Sequence, residues 1–519
     1  MKGNILRISA LWGRGLILAL LNVSLISPFT QSAYAVVSFA KTYGGAYWDQ
    51  ASSVQHTSDG GYIVTGNTGY YIILLKTNAN GNIIWAKTYG GTSGDYATSV
   101  QQTSDGGYIV AGYTQSFGAG YPDVLLIKTD ANGNIIWAKT YGGTDWDYAL
   151  SVQQTSEGGY IVAGYTQSFG AGSGDIFLIK TDANGNIIWA KTYGGTSWDI
   201  AHSVQQTSDG GYIVAGYTYS FGAGYYDIFL LKTDANGNIV WAKTYGGTGI
   251  EYAYSVQQTS DGGYIVAGER GGVFLLKTDA NGNIIWAKTY RATSYDKAFS
   301  VQQTSDGGYI VAGLTYFVNV NYPDLFLLKM DANGNIIWAK AYGGTSEEDY
   351  ATSVQETSDG GYIAAGGTFS FGAGGRDIFL IKTDANGNIG SCSIVQNVTT
   401  TVNTISPVVN TPSFSVSSVS PTVNSVSPIV TSLTFTVSEP CPLSIFEFCQ
   451  PVSGIITQYK GGIKVSGSGE FDVKVYNVSG VMVKSVKGKN EVKLELSRGV
   501  YFVEVVSGGK VIRERVIIR

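Results

Sequence analysis

The chain has 519 residues, 44% of them hydrophobic, with a formal net charge of −5. It is therefore globular, long enough for two or three domains, and without the basic footprint of a nucleic-acid binder. With 70 Gly and 36 Tyr against 14% charged residues and 10 Pro, the composition favours many short strands joined by tight turns and argues against helix.

The N-terminus carries Lys2, Arg7 and Arg14, an apolar run from Leu16 to Ile26, and the small-residue stretch Ala33-Tyr34-Ala35. This order predicts a cleaved export signal over 1–35 and a mature chain that starts at Val36. The apolar run is short for a bilayer, and no other stretch approaches the roughly 20 apolar residues of a spanning helix. The mature chain is expected to have no membrane span.

From there the sequence repeats almost literally. The segment around SDGGYIVAGYT recurs seven times, with its Tyr at Tyr62, Tyr108, Tyr160, Tyr212, Tyr264, Tyr309 and Tyr362. The segment around KTDANGNIIWAKTYGG follows it, with Trp85, Trp137, Trp189, Trp241, Trp286 and Trp338. The period lies in the range of propeller blades. Alternation and turn signals divide each unit into four strands, the first two joined by Asp-Gly-Gly and the last two by Asn-Gly. The last unit stops at Ile389-Gly390 without its Trp strand, whereas Val37 to Tyr43 has that strand's template and stands alone before the first unit. A ring uses this offset, because the N-terminal strand completes the last blade and removes the exposed edges at the seam. The prediction is an all-β fold, a seven-bladed β-propeller over 36–390.

Antiparallel strands place the monotonous turns on one face and the variable, aromatic loops on the other, so binding is expected on the variable face. After the fourth strand these loops carry an acid in every unit: Asp49, Asp95, Asp147, Asp199, Glu251, Asp296 and Asp349, with Trp48, Tyr96, Trp146 and Trp198 beside them. The acids suit a cation site or a sugar-binding rim in which the aromatics supply flat apolar faces. Equally, each acid can cap backbone N–H groups in its own loop and lock neighbouring blades. The loops after the second strand mostly read Ser-Phe-Gly-Ala-Gly. The first and fifth units lack it, over Gly66 to Tyr71 and Glu269 to Gly272, which should leave dips in the rim. Near the second dip, Arg270 and Arg291 with Glu251 and Glu269 break the template and mark a candidate unique site.

Asp130-Ala131-Asn132-Gly133-Asn134 resembles the opening of a calcium loop but lacks the later ligands, so it reads as a hairpin turn. No cofactor is expected; calcium is the one ion the acids leave open. The only histidines, His56 and His202, have no nucleophile motif attached, and seven equivalent acids do not define one acid and one nucleophile. The chain is accordingly not expected to be an enzyme, with a secreted carbohydrate-active enzyme using rim carboxylates as the alternative.

Residues 391–454 turn to Ser, Thr, Val and Pro and read as an extended linker or stalk. Cys392, Cys441 and Cys449 lie outside the repeats, and Cys441 with Cys449 is the simplest pair. Residues 455–519 alternate again in short strands and predict a small β-sandwich. Here Val475-Tyr476-Asn477-Val478-Ser479-Gly480, Leu496-Ser497-Arg498-Gly499-Val500-Tyr501-Phe502-Val503 and the terminal Val516-Ile517-Ile518-Arg519 resemble the C-terminal sorting domain of type IX secretion cargo. That resemblance implies passage across an outer membrane by way of the secretion machinery and display at the cell surface, although the usual Pro-Asn-Pro segment is absent. The repeats are similar to bacterial surface propeller repeats. Together these features predict an extracellular binding or adhesive propeller whose partner is a polysaccharide or another surface polymer. A purely structural surface-layer component is the third reading.

Overall fold

The computed structural model describes residues 36–293, 295–316, 321–344, 347–446, 456–459, 462–477, 482–496, 499–507 and 510–518. The predicted export signal lies outside these residues. All regular elements described are strands, as the composition requires.

Seven sheets form the propeller. In the second blade the four strands are Asp95–Gln102, Tyr108–Thr114, Asp123–Thr129 and Ile135–Gly142. The two middle strands are covered on both faces by the neighbouring blades, which is why YIVAG and VLLIK read as unbroken apolar runs. The first strand alternates buried and half-buried residues because one face lines the central channel. The N-terminal strand Val36–Gly44 pairs with Asp377–Thr383 of the last unit, Tyr43 opposite Ile378 and Phe39 opposite Lys382, so the ring closes as predicted.

One repeated motif is an inter-blade latch. The Tyr of Lys-Thr-Tyr-Gly-Gly is buried and donates its hydroxyl to the carbonyl of the next blade's Asn-Gly turn: Tyr89 to Gly133 at 2.7 Å, Tyr141 to Gly185 at 2.7 Å, Tyr342 to Gly387 at 2.7 Å. Tyr43 makes the same bond to Gly81 across the seam. Gly133 has φ +72°, and a Cβ there would meet the Trp85 ring and the Tyr89 hydroxyl at 2.9 Å, so both the turn and the latch demand glycine. Within each blade the buried Lys of the third strand reaches the Asp-Gly-Gly turn, as in Lys76–Asp59 and Lys128–Asp105, both 2.9 Å. Asp130 accepts the N–H groups of Asn132 and Asn134 at 2.9 and 2.8 Å, the hairpin reading of that string.

The largest departure from expectation is the predicted stalk. It is extended, but it winds around the propeller and adds a fifth, outermost strand to every blade. Val395–Asn397 joins the sixth blade, and Thr401–Thr404, Val408–Asn410, Ser415–Ser418, Thr422–Ser425 and Ile429–Ser432 join the fifth, fourth, third, second and first in turn. Thr436–Phe446 returns to the seventh. The belt has a seven-residue period, one step per blade. Val398, Ile405, Val419, Val426 and Leu433 donate their N–H groups to Ala339, Ala287, Ala190, Ala138 and Ala86 at 2.9–3.0 Å. Pro407, Phe414, Pro421, Pro428 and Phe435 are buried at the crossings. Cys392 pairs with Cys441, not Cys441 with Cys449: the two lie 49 residues apart in sequence and 5.6 Å apart at Cα because the chain has come full circle. Cys449 lies outside the described residues.

The C-terminal strands Ile456–Tyr459, Gly462–Asn477, Met482–Glu495, Gly499–Ser507 and Lys510–Ile518 form one separate sheet. Its core contains Ile463, Val465, Val473, Val475, Leu494, Val503 and Val505. The alternation predicted a small β-sandwich; the described strands make a small β domain of one five-stranded sheet.

A closed loop of this length removes about 4 kcal/mol of unfolded-chain entropy. Cys392→Ser is therefore expected to lower the unfolding free energy by about that amount, measured by guanidinium denaturation. Reductant should reproduce the loss in the parent chain and add nothing in the variant, while hydrogen exchange at the belt amides accelerates.

Candidate functional site

The seven predicted acids do form a ring at the variable face, but each is buried, with 0–2% exposure. Gly45 donates to Asp49 at 2.8 Å, Gly91 to Asp95 at 2.7 Å, Gly143 to Asp147 at 2.8 Å and Gly195 to Asp199 at 2.8 Å. Ser116, Ser168, Ser220 and Ser370 of the Ser-Phe-Gly-Ala-Gly loops donate to Asp95, Asp147, Asp199 and Asp349 at 2.6–2.7 Å. Asp296 takes the N–H groups of Ala292 and Thr293 at 2.7 Å. Of the two readings the sequence allowed, the acids therefore adopt the capping one, tying the loop after one blade's fourth strand to the next blade's second-strand loop.

Opposite them lies a second set of acids that sequence reading missed: Asp123, Asp175, Asp227, Asp324 and Asp377, which open the third strands. A Cβ on Gly142 would meet Asp123 Oδ1 at 1.7 Å and Asp147 Oδ2 at 2.7 Å, so two carboxyl groups from adjacent blades converge on one glycine. The signal was available. The position is Asp in five units and becomes Tyr71 and Gly272 in the two units with shortened loops. Burial and the neighbouring Asp147 push Asp123 up to about 6; burial and Asp349 push Asp324 up to about 7; burial and Asp49 push Asp377 up to about 6.

At the fifth-unit dip the structure does bring Glu251, Arg270 and Arg291 together. Arg270 Nε lies 3.2 Å from Glu251 Oε1, and Arg291 donates to the Arg270 carbonyl at 3.2 Å. Glu269 instead accepts from Lys297 at 2.9 Å and from the Tyr254 hydroxyl at 3.0 Å. The longer Glu and the arginine replace the Asp–Ser contact of the other blades, so the departure from template compensates for a missing loop.

The aromatic side chains remain accessible. Around the channel mouth Tyr96 stacks on Tyr113 at 5.0 Å and Tyr148 on Tyr165 at 4.9 Å, with Tyr113 and Tyr148 edge-on at 4.2 Å. Trp146 and Trp198 extend this arc through Tyr148 and Tyr165. Tyr113 and Tyr165 were overlooked, yet they occupy the most variable position of YIVAGxT, filled elsewhere by Asn67, Tyr217, Glu269, Leu314 and Gly367. His202 lies beyond the arc between Tyr217 and Tyr254 at 5.3 and 5.2 Å, held down to about 4 by burial.

The predicted first-unit dip is a cleft of about 560 Å3 lined by Tyr47, Tyr70, Tyr71, Thr88, Ile429 and Leu433, with Thr68, Gly69, Gly91 and Thr431 completing the wall. The third and seventh blades place a loop phenylalanine on their third strand, Phe169 on Phe177 and Phe371 on Phe379, and the fourth sets Phe221 against belt Phe414; the shortened loop of the first blade has no phenylalanine. Beside the cleft, exposed Trp48 meets Phe369 edge-on at 5.8 Å. The Arg376 guanidinium sits over Trp48, Tyr350 and Phe369 at 4.7–5.6 Å and donates to Gln50 at 2.7 Å.

The two kinds of acid act in opposite directions on pH. Asp123, Asp324 and Asp377 have folded values above their unfolded ones, so their contribution is fully present below about 4 and is lost as pH rises through 6–7. Asp59, Asp105, Asp209, Asp261 and Asp306, paired with lysines, are held down to about 2, so theirs is lost as pH falls from about 4 towards 2. Thermal unfolding should therefore show a higher Tm near pH 5 than at pH 8. Asp123→Asn, an isostere of the protonated acid, should narrow that difference; an unchanged profile would show that Asp123 is not one of its sources.

Comparison with known proteins separates the two ends of the chain. No curated protein matches it. Among solved structures, a protein of unknown function from Bacteroides caccae is 11% identical, with a TM-score of 0.33 over 58% of this chain and 93% of that one. Sqt1 from Chaetomium thermophilum is 11% identical, with a TM-score of 0.39 over 64% and 81%. PorZ, a surface component of the type-IX secretion system of Porphyromonas gingivalis, is 8% identical, with a TM-score of 0.18 over 93% and 100%. At these scores none bears on what the chain does. The family model of the secretion system C-terminal sorting domain matches residues 451–519. The chain is therefore a seven-bladed β-propeller that carries a secretion system C-terminal sorting domain, exported to the cell surface or beyond by the machinery that reads that domain.

Proposed function

We propose that the propeller is a binding module of the cell surface, and that its ligand is a polysaccharide held on the variable face. The observation that carries this reading is the cleft of about 560 Å3 at the first blade, walled by Tyr47, Tyr70 and Tyr71. Its size suits a few sugar rings, and aromatic faces with polar edges match the alternating apolar and hydroxyl surfaces of a pyranose. Trp48 and the Tyr96 to Trp198 arc extend the same chemistry around the rim, enough for a chain of sugars. The rim carboxylates that a hydrolytic reading would use are buried loop caps that accept N–H groups of their own loops, so binding without turnover is favoured.

A specific feature favours a second reading, a structural surface-layer component. The belt strands cover only the second half of each fourth strand in the first six blades, as in Ile429–Ser432 opposite Lys87 to Gly90. This leaves Ile84, Ile136, Ile188, Val240, Ile285 and Ile337 at 55–60% exposure around the flank, a repeated apolar edge able to pair with another copy.

A polysaccharide array and pull-down with the secreted chain separates these readings. Binding should fall roughly thirtyfold, about 2 kcal/mol, in Tyr70→Ala and in Tyr47→Ala, with no product released. Binding unchanged in both variants and in Trp146→Ala would sink the glycan reading. Concentration-dependent assembly lost on Ile136→Lys would then support the structural one.

A further inference from the structure

We propose that the axial channel holds a small inorganic anion, bound by the seven first glutamines of the Val-Gln-Gln motif. In each blade the carbonyl oxygen of that glutamine accepts a backbone N–H from the next blade: Gln206 to Gln153 at 2.5 Å, Gln258 to Gln205 at 2.6 Å, Glu356 to Gln302 at 2.6 Å, and across the seam His56 to Gln355 at 2.6 Å. A backbone N–H donates, so only the oxygen end of the amide can face it. That requirement fixes the orientation of every amide in the ring. With the oxygen used by the neighbouring blade, the Nε2 group is the end left to serve a ligand, and these side chains line the lumen.

The lumen at this level has a volume of about 230 Å3, and its wall consists of the seven glutamines and seven valines, with no charged side chain. Seven amide N–H groups are thus available to one axial volume whose described lining holds no carboxylate. Neutral N–H donors converging on a small space are how backbone nests and helix N-termini hold phosphate and sulfate. The acids of the Asp-Gly-Gly turns, such as Asp59 and Asp105, are held by lysines at 2.9 Å. The valines exclude wide ligands and leave the amides as the polar surface. The anion would act as an axial pin, linking all seven blades from the inside as the belt links them from the outside.

Glutamate is a minimal probe of this ring. At the following position the seventh blade already uses Glu356, whose carboxylate accepts the Ser305 N–H at 2.7 Å where other blades use a glutamine such as Gln258, on Ser208 N–H at 2.8 Å. A carboxylate therefore keeps this kind of latch. In Gln153→Glu/Gln205→Glu one oxygen of each side chain still accepts the neighbour's N–H, while the other replaces an inward donor by a negative charge.

Bromide is the probe. Crystals of the full chain soaked in sodium bromide should show an anomalous peak on the channel axis at the level of Gln153 and Gln205. In solution, Tm should rise saturably with bromide at constant ionic strength. In Gln153→Glu/Gln205→Glu the apparent affinity should fall by at least about tenfold, from two lost charge-assisted bonds and added repulsion, whereas Gln206→Glu, on the following ring, should keep the wild-type response. No axial bromide in the wild-type crystal overturns the proposal, and so does a bromide-dependent shift that survives unchanged in the double variant. The diffraction measurement needs no variant, so it decides the question even if the double variant does not fold.

Discussion

The contact on which the rest of this molecule depends is the hydrogen bond from the fourth-strand tyrosine of one blade to the turn carbonyl of the next. A propeller blade cannot bury its two faces alone, and it needs a partner in a fixed register on each side. The buried Tyr89 hydroxyl finds a single acceptor, Gly133 O, and that acceptor exists only if the Asn-Gly turn has formed. Leaving a buried hydroxyl unpaired is costly, so local turn, strand register and blade spacing are specified together. The near-identity of the seven units follows from this, since each unit must be complementary to its neighbour and must in turn serve as the neighbour of another.

With the latches constant, variation is confined to the loops of one face, and there it is correlated. The first and fifth units shorten the loop after the second strand, and they also lose the acid at the head of the third strand, leaving Tyr71 and Gly272. Without that loop's backbone amides, such as the Ala119 N–H on Asp123 at 2.6 Å, a second buried carboxylate would have little to hold it. The two units then diverge. The fifth fills its gap with the Glu251–Arg270 pair, whereas the first leaves an aromatic cleft closed on its outer side by belt residues Ile429 and Leu433. The candidate binding site therefore arises from a gap in the repeat, completed by a segment more than 300 residues away in sequence.

The belt answers a different problem. A ring of blades has no edges between neighbours, but each blade still ends in an open fourth strand at the circumference. The belt covers half of that edge six times and runs along the whole N-terminal strand once, opposite Val36 to Gly44. Its disulfide joins the end of the last repeat to the returning belt, so the closure that the N-terminal strand makes by hydrogen bonds is repeated covalently on the outside. A disulfide in this position suits an exported protein, whose compartment permits it.

The sequence by itself determined the four repeated strands of each blade, the ring and its seam, because repeats and alternation report local geometry and the misplaced strand could be used only by closure. It also determined the sorting domain, whose signature is carried by contiguous residues. It pointed to the variable face, and to the dip that became the cleft. It left open whether Asp95 or Asp147 faces solvent or its own loop, because that depends on how close the neighbouring blade's serine comes. Only the tertiary structure paired Asp123 with Asp147, caged Arg376 among Trp48, Tyr350 and Phe369, and put Cys392 beside Cys441. It also revealed the belt. The prolines Pro407, Pro421 and Pro428 fall at multiples of seven, but a seven-residue period in Ser and Thr has no local meaning. Its physical cause is the distance from one blade to the next, which exists only once the ring has closed.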